Sequence, residues 1–269
     1  MTTLTHPPRT AAPLADSWTM LRRNLLQARR YPSMTISVTV MPIVLLAIFN
    51  YVFGGALEGG LGTGPDGSSV EYIDYLAPGM LLLLPAYLTA SVAVSVCTDV
   101  TKGIVNRFRT MAISQSSLLT GHVLGVQVQA LPALAAMLGV SLLMGFRPSA
   151  TPLEWVAAIG FLMLIVFALT WLSVAFGLIA PNPESASNLP FPILMLPFLG
   201  SGLVPTETMP TVMRWFAEYQ PFTPFTETVR GLLMGTPIGN NALISLGWCL
   251  VIGLGGFVWS TTVFRRQGR

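Results

Sequence analysis

The side chains able to carry chemistry are few and widely spaced. Lys102 is the only lysine of the chain, with Val100 and Thr101 before it and Gly103 after it. A nucleotide-binding P-loop needs Gly-x-x-x-x-Gly-Lys-Ser/Thr, so that backbone amides and the lysine cradle the phosphates. That pattern does not surround Lys102, so nucleotide is not held here by that route. His6 and His122 stand far apart, and neither has a cysteine or acidic cluster beside it to complete a metal site. Ser91, Ser95 and Ser141 lie in apolar runs with no histidine or lysine alongside to act as a base, which argues against an intramembrane hydrolase. Cys97 and Cys249 also fall in apolar runs and read as small packing residues, not as a secreted disulfide framework. Two constellations remain. Glu227 and Arg230, followed by Gly231, have the three-residue spacing of an ion pair on a helix. Lys102, Arg107 and Arg109 share a short stretch with Ile104, Val105, Phe108 and Met111, whose roughly helical recurrence makes the segment amphipathic.

The elements that position these residues follow from composition. Of 269 residues, 52% are hydrophobic and only 9% charged, against about 25% charged in soluble domains. With a mean hydropathy of +0.66 and several apolar runs near 20 residues, the chain reads as an all-α polytopic membrane protein. Residues 1–15, with Pro7, Pro8 and Pro13, read as a disordered cytoplasmic tail, and 16–269 as a single transmembrane domain. A helix over about 17–30 carries Trp18, Leu21 and Leu25 on one face and Arg22, Arg23, Arg29 and Arg30 elsewhere, the pattern of an interfacial amphipathic helix. The first apolar run begins after this basic tail and reads as a retained span, not a cleaved signal. Six spans are predicted, at about 33–53, 75–97, 118–145, 153–180, 188–204 and 241–264. The fifth is short and holds Pro190, Pro192 and Pro197.

Charge sets the orientation. With the N-terminus inside, 11 of 14 basic residues are cytoplasmic, and only Arg147, Arg214 and Arg230 lie outside. An even span count then puts both termini in the cytoplasm. The loop over 99–117 falls on that side too, where its apolar face predicts either lipid headgroup contact or docking into a partner. Arg22 and Arg23 face the same choice. The segment 205–239 is too long for a turn and too apolar for a free loop. Met209, Val212, Met213, Phe216 and Tyr219 share one helical face, and Thr223-Pro224 reads as the cap of a second short helix bearing Phe225, Val229, Leu232 and Leu233. Two short helices of this kind predict a re-entrant hairpin before the sixth span, buried against protein. Glu227 and Arg230 either tie that hairpin together or touch substrate. Phe191, Met195, Phe198, Met209 and Met213 are candidates for a substrate path, with ordinary packing as the alternative. No lysine or arginine lies in mid-span, so an ion-coupled pump lacks its relay and energy must enter elsewhere.

Three stretches carry a resemblance. They are Gly103-Ile-Val-Asn-Arg-Phe-Arg-Thr-Met-Ala-Ile-Ser-Gln-Ser-Ser-Leu-Leu-Thr-Gly121, Phe198-Leu-Gly-Ser-Gly-Leu-Val-Pro-Thr-Glu-Thr-Met-Pro210 and Pro221-Phe-Thr-Pro-Phe-Thr-Glu-Thr-Val-Arg-Gly231. In order and position they resemble the type 2 integral-membrane permease of ATP-binding-cassette exporters, daunorubicin-resistance type. Gly200-Ser201 and the Gly-rich first outer loop depart from the pattern in detail. The resemblance implies a non-catalytic permease with no cofactor of its own. It implies ATP on a separate ATPase subunit present in two copies, a second permease chain (identical or paralogous), surrounding membrane lipids and no nucleic acid. It also implies that Lys102, Ile104, Val105, Arg107, Phe108, Arg109 and Met111, with Arg22 and Arg23, touch the ATPase. Thirteen arginines against one lysine fit a GC-rich bacterial genome, hence a bacterial plasma membrane. The expected function is ATP-driven efflux of a hydrophobic or amphipathic compound such as an antibiotic. Alternatives are export of a lipid or glycan precursor, and a membrane-embedded sensor or immunity protein that binds without transporting.

Overall fold

A computed structural model describes Arg22 and residues 32–57, 71–103 and 115–266. The expected tail over 1–15, the interfacial helix apart from Arg22, most of the Gly-rich loop and most of the loop over 99–117 lie outside the described residues. What is described is helical, with no strand among the described residues.

Helix α1 (Pro32–Ile48) accommodates Pro42 and continues through a π-helical turn, Phe49–Phe53, into a last α turn, Gly54–Leu57. The second expected span is two helices in line, α2 (Tyr72–Leu81) and α3 (Leu83–Thr101). Pro85 has no N–H for the Leu81 carbonyl, which loosens the ladder there; the Leu82 N–H donates to Gly79 O at 3.1 Å instead. Next come α4 (Gln115–Leu143) and α5 (Pro152–Ile179). Thr151 starts α5 with a capping box, its hydroxyl accepting from the Glu154 N–H while Glu154 Oε2 accepts from the Thr151 N–H at 2.6 Å, and Pro152 takes the first turn. The last long helix is α10 (Asn241–Arg266).

Among the described residues, five helices are long and apolar enough to cross a membrane: Val38–Leu57, Tyr72–Thr101, Leu119–Leu143, Pro152–Ile179 and Asn241–Arg266. They match the first four expected spans and the sixth. The expected fifth span, 188–204, is not a continuous helix. It is divided into α6 (Pro183–Asn188), α7 (Phe191–Met195), a 3₁₀ turn Leu196–Leu199 and irregular backbone after it. Pro190, Pro192 and Pro197 each remove a donor and crowd the preceding turn, so no helical piece extends beyond six residues. The broken segment nevertheless follows α2 and α3 along most of their length. Ala186 packs with Ala93, Cys97 and Ala180 at one end, and Leu203 O accepts from the Tyr72 hydroxyl at the other, 3.2 Å away.

Helix α5 is the central post, packed against α3, α4, α9 (Phe222–Met234) and, most extensively, α10. Small residues allow the helix backbones to approach. A Cβ on Gly177 would lie 2.6 Å from Ala93 O, and one on Gly256 would lie 2.5 Å from Leu172 N. Cys249, Gly256 and Ser260 are buried on the same side of α10, while Gly253 meets Ala168. The Ser173 hydroxyl adds a hydrogen bond across the α5–α3 contact, to the Thr89 carbonyl. Helices α3, α5 and α10 run in the same direction, Thr89 and Ala93 meeting Ser173 and Gly177 while Ala168 and Leu172 meet Gly253 and Gly256, so Lys102, Arg265 and Arg266 collect at one end and Asp74, Glu154 and Glu227 at the other.

Candidate functional site

The expected hairpin over 205–239 consists of two short helices, α8 (Thr211–Tyr219) and α9, of 9 and 13 residues. Both fall short of the roughly 20 residues a crossing needs. Most of α8 is exposed, including Val212, Met213, Trp215, Phe216 and Tyr219, with Arg214 Nε donating to Glu218 Oε1 at 2.7 Å along its surface. By contrast α9 is buried, and Phe222, Phe225, Val229 and Leu233 enter the core at helical spacing. The expected cap at Thr223 is displaced, since the helix already begins at Phe222. The Thr223 hydroxyl serves instead as an acceptor for Ser201 N and Gln220 Nε2, each at 3.3 Å. Gly235, at φ +70°, lets the chain leave α9 in a left-handed turn that a side chain would strain.

One knot joins this helix to the rest. The Arg230 side chain is only 7% exposed. Its Nη1 donates to Glu227 Oε1 at 2.5 Å, and its Nη2 donates to two backbone carbonyls, Ser201 at 2.8 Å and Tyr75 at 3.1 Å. The guanidinium lies 3.8 Å over the Tyr75 ring, and the Tyr75 hydroxyl donates to the same Ser201 carbonyl at 2.8 Å. A buried guanidinium requires compensation of this kind; here the charge is paired and both Nη groups donate, while the buried Nε has no partner. The result ties α2, α9 and the broken segment at a single carbonyl. Close by, a Cβ on Gly79 would fall 2.4 Å from Gly202 Cα, so α2 and the broken segment touch backbone to backbone. Gly231 is equally enclosed, with Ile238 Cγ1 2.3 Å from where its Cβ would be. Beside the knot is a cavity of about 160 Å³, lined by Ala56, Leu57, Tyr72, Leu203, Val204, Pro205 and Thr208.

Of the residues singled out from sequence, Glu227, Arg230 and Gly231 therefore meet. Phe198 lines a crevice with Gly79, Met80 and Leu83 and lies 6.4 Å from the Phe49 ring. Met195 and Met209 are half-buried, whereas Phe191 and Met213 are exposed. Lys102 is exposed at the end of α3, and Arg22 is helical and exposed. Arg23, Ile104, Val105, Arg107, Phe108, Arg109 and Met111 lie outside the described residues. Sequence reasoning missed Tyr75 and Ser201, of which only the aromatic spacing of Tyr72 and Tyr75 gave a signal. His122 is buried, with Nε2 3.2 Å from Asp99 Oδ2.

Long apolar helices packed through glycine and serine contacts, one broken crossing-length segment and a buried guanidinium knot describe a polytopic membrane protein. Residues 16–234 match the family model of the ABC-2 type transporter, and the chain belongs to that family. It is 30% identical over 230 residues to the daunorubicin resistance ABC transporter permease protein DrrB1 of Streptomyces coeruleorubidus, covering 85% of this chain and 78% of that one. It is also 22% identical over 247 residues to the probable doxorubicin resistance ABC transporter permease protein DrrC of Mycobacterium tuberculosis, covering 88% and 84%. The similarity extends to ABC transporter G family member 20 of Dictyostelium discoideum, at 27% identity over 168 residues but only 22% of that longer protein. Permeases of this family are non-catalytic and work with ATP-binding-cassette ATPase subunits.

Proposed function

We propose that this chain is the membrane path of an ATP-driven bacterial exporter that expels a hydrophobic or amphipathic compound of the antibiotic type. The observation that carries this reading is the 30% identity, over most of both chains, to a permease named for daunorubicin resistance. Two permease chains pair, and each engages one copy of a separate ATPase subunit that binds and hydrolyses ATP. The end of the bundle bearing Lys102, Arg265 and Arg266 faces the cytoplasm, in keeping with the positive-inside rule. The broken segment from Pro183 to Val204 makes a sixth crossing, which its company with α2 and α3 along their length supports. Irregular backbone at that depth is tolerated because it lies against protein.

Energy enters through the loop over 99–117. Its face of Ile104, Val105, Phe108 and Met111 buries in the ATPase, and Lys102, Arg107 and Arg109 steer the encounter, with Arg22 and Arg23 alongside. Closing of the ATPase pair on ATP moves these loops, and the two permeases rock between inward-open and outward-open states. Phe191, Met195, Phe198, Met209 and Met213 offer soft, polarizable contacts to the passing compound. The test is co-expression with the ATPase and recovery of the complex. Phe108→Ala with Arg107→Glu removes an apolar anchor and reverses a charge. Hot-spot losses of at least about 2 kcal/mol correspond to about 30-fold weaker association. Undiminished recovery of the ATPase with this variant contradicts the docking role.

A further inference from the structure

Among the described residues of the five long helices, Asp99 is the one buried carboxylate. It sits in the last turn of α3, just before Gly103, whose φ of +68° ends that helix. His122 sits two turns into α4, and the two side chains, 8% and 7% exposed, meet at 3.2 Å. They therefore join the last turn before residues 104–114 to the first turns after them. The α3 side of this junction is itself fixed. Cys97 Sγ donates to Ala180 O at 3.5 Å, and Ala186 packs beside Cys97 and Ala93. Apolar side chains would hold two helices together here without the cost of withdrawing a carboxylate from water. What a directional pair adds is a single register between the helices, one that bears load in a defined direction.

We infer that Asp99 and His122 are positioning residues for energy coupling: their contact makes the ends of α3 and α4 move as one body when the intervening segment is displaced. This rests on the docking of that segment into the ATPase proposed above. Without the pair, displacement would spread the two helix ends apart, and part of the motion would be lost before it reached the rest of the bundle.

The experiment uses the full chain in complex with its ATPase, with the buried Cys97 and Cys249 left in place. Spin labels are placed at the exposed Thr101 and Leu124 positions through Thr101→Cys and Leu124→Cys. The distance between the labels is measured by pulsed electron resonance without nucleotide and in the ATP–vanadate state. The variants are Asp99→Leu, His122→Leu, the double leucine variant and the exchange Asp99→His with His122→Asp. The double leucine variant removes both halves of the pair at once and keeps the test open should a single variant misfold. With the original pair, and in the exchange, the distance stays the same in both states. In the leucine variants that assemble, it lengthens in the ATP–vanadate state. A distance that stays fixed in the double leucine variant overturns the inference while leaving the docking reading intact. Failure of the unaltered chain to recover the ATPase at all overturns both.

Discussion

Replacing Arg230 with methionine is expected to lower the melting temperature of the purified protein by on the order of 10 °C and to abolish its transport activity. Methionine fills much of the volume but returns nothing to the acceptors around it. The Ser201 and Tyr75 carbonyls each lose a charged donor, Glu227 loses its cation, and the Tyr75 ring loses the guanidinium above it. Breaking one side of a buried pair costs about 3–5 kcal/mol, and each kcal/mol moves the melting point of a chain this large by a few degrees. Arg230→Lys should recover little, because an ammonium cannot serve three acceptors and stack on a ring at once. Differential scanning fluorimetry of detergent-purified protein reads the effect. A melt within a degree or two of the unaltered protein would remove the knot from the account.

The second large effect is predicted at the contact between α2 and the broken segment. Gly79→Ala adds one methyl group, placed 2.4 Å from Gly202 Cα and 2.5 Å from its carbonyl oxygen. A side chain could swing away from such a clash, but backbone cannot. The segment from Gly200 to Val204 must back off, carrying with it the Ser201 carbonyl that Arg230 and Tyr75 share. The expected cost is at or above the upper end of the roughly 1–3 kcal/mol seen for overpacked cores. Gly160→Ala in α5, where nothing lies within 4 Å of the added atom, is the matched control and should melt like the unaltered protein. Equal melting of the two variants would contradict the backbone contact.

These two sites show what could be read in advance and what could not. The long helices were legible because run length and hydropathy report directly on burial in lipid, and α1, α4, α5 and α10 lie close to where composition puts them. The break in the fifth span was less legible, for a related reason. Hydropathy records how apolar 188–204 is, whereas continuity depends on the donors that Pro190, Pro192 and Pro197 lack. The Glu227–Arg230 pair was legible because both partners lie on one helix at a spacing fixed by its pitch. Its other partners were not, since two of them are backbone carbonyls, which have no residue signature, supplied from Tyr75 and Ser201 far along the chain. The Gly79–Gly202 contact is hidden for the same reason: many glycines are compatible with a close crossing, and only the assembled fold selects the pair. Asp99 and His122 each look like ordinary helix-end residues until α3 and α4 are placed side by side.

The central claim is that the chain forms a path driven by ATP hydrolysed on a separate subunit. The most direct measurement reconstitutes the chain with its ATPase in sealed vesicles, ATPase facing outward, and follows entrapment of daunorubicin by fluorescence quenching. The account predicts uptake that requires ATP and both proteins, stops with vanadate and persists after ion gradients are collapsed. Binding of the drug without ATP-dependent uptake, or uptake that disappears with the ion gradient, would contradict it.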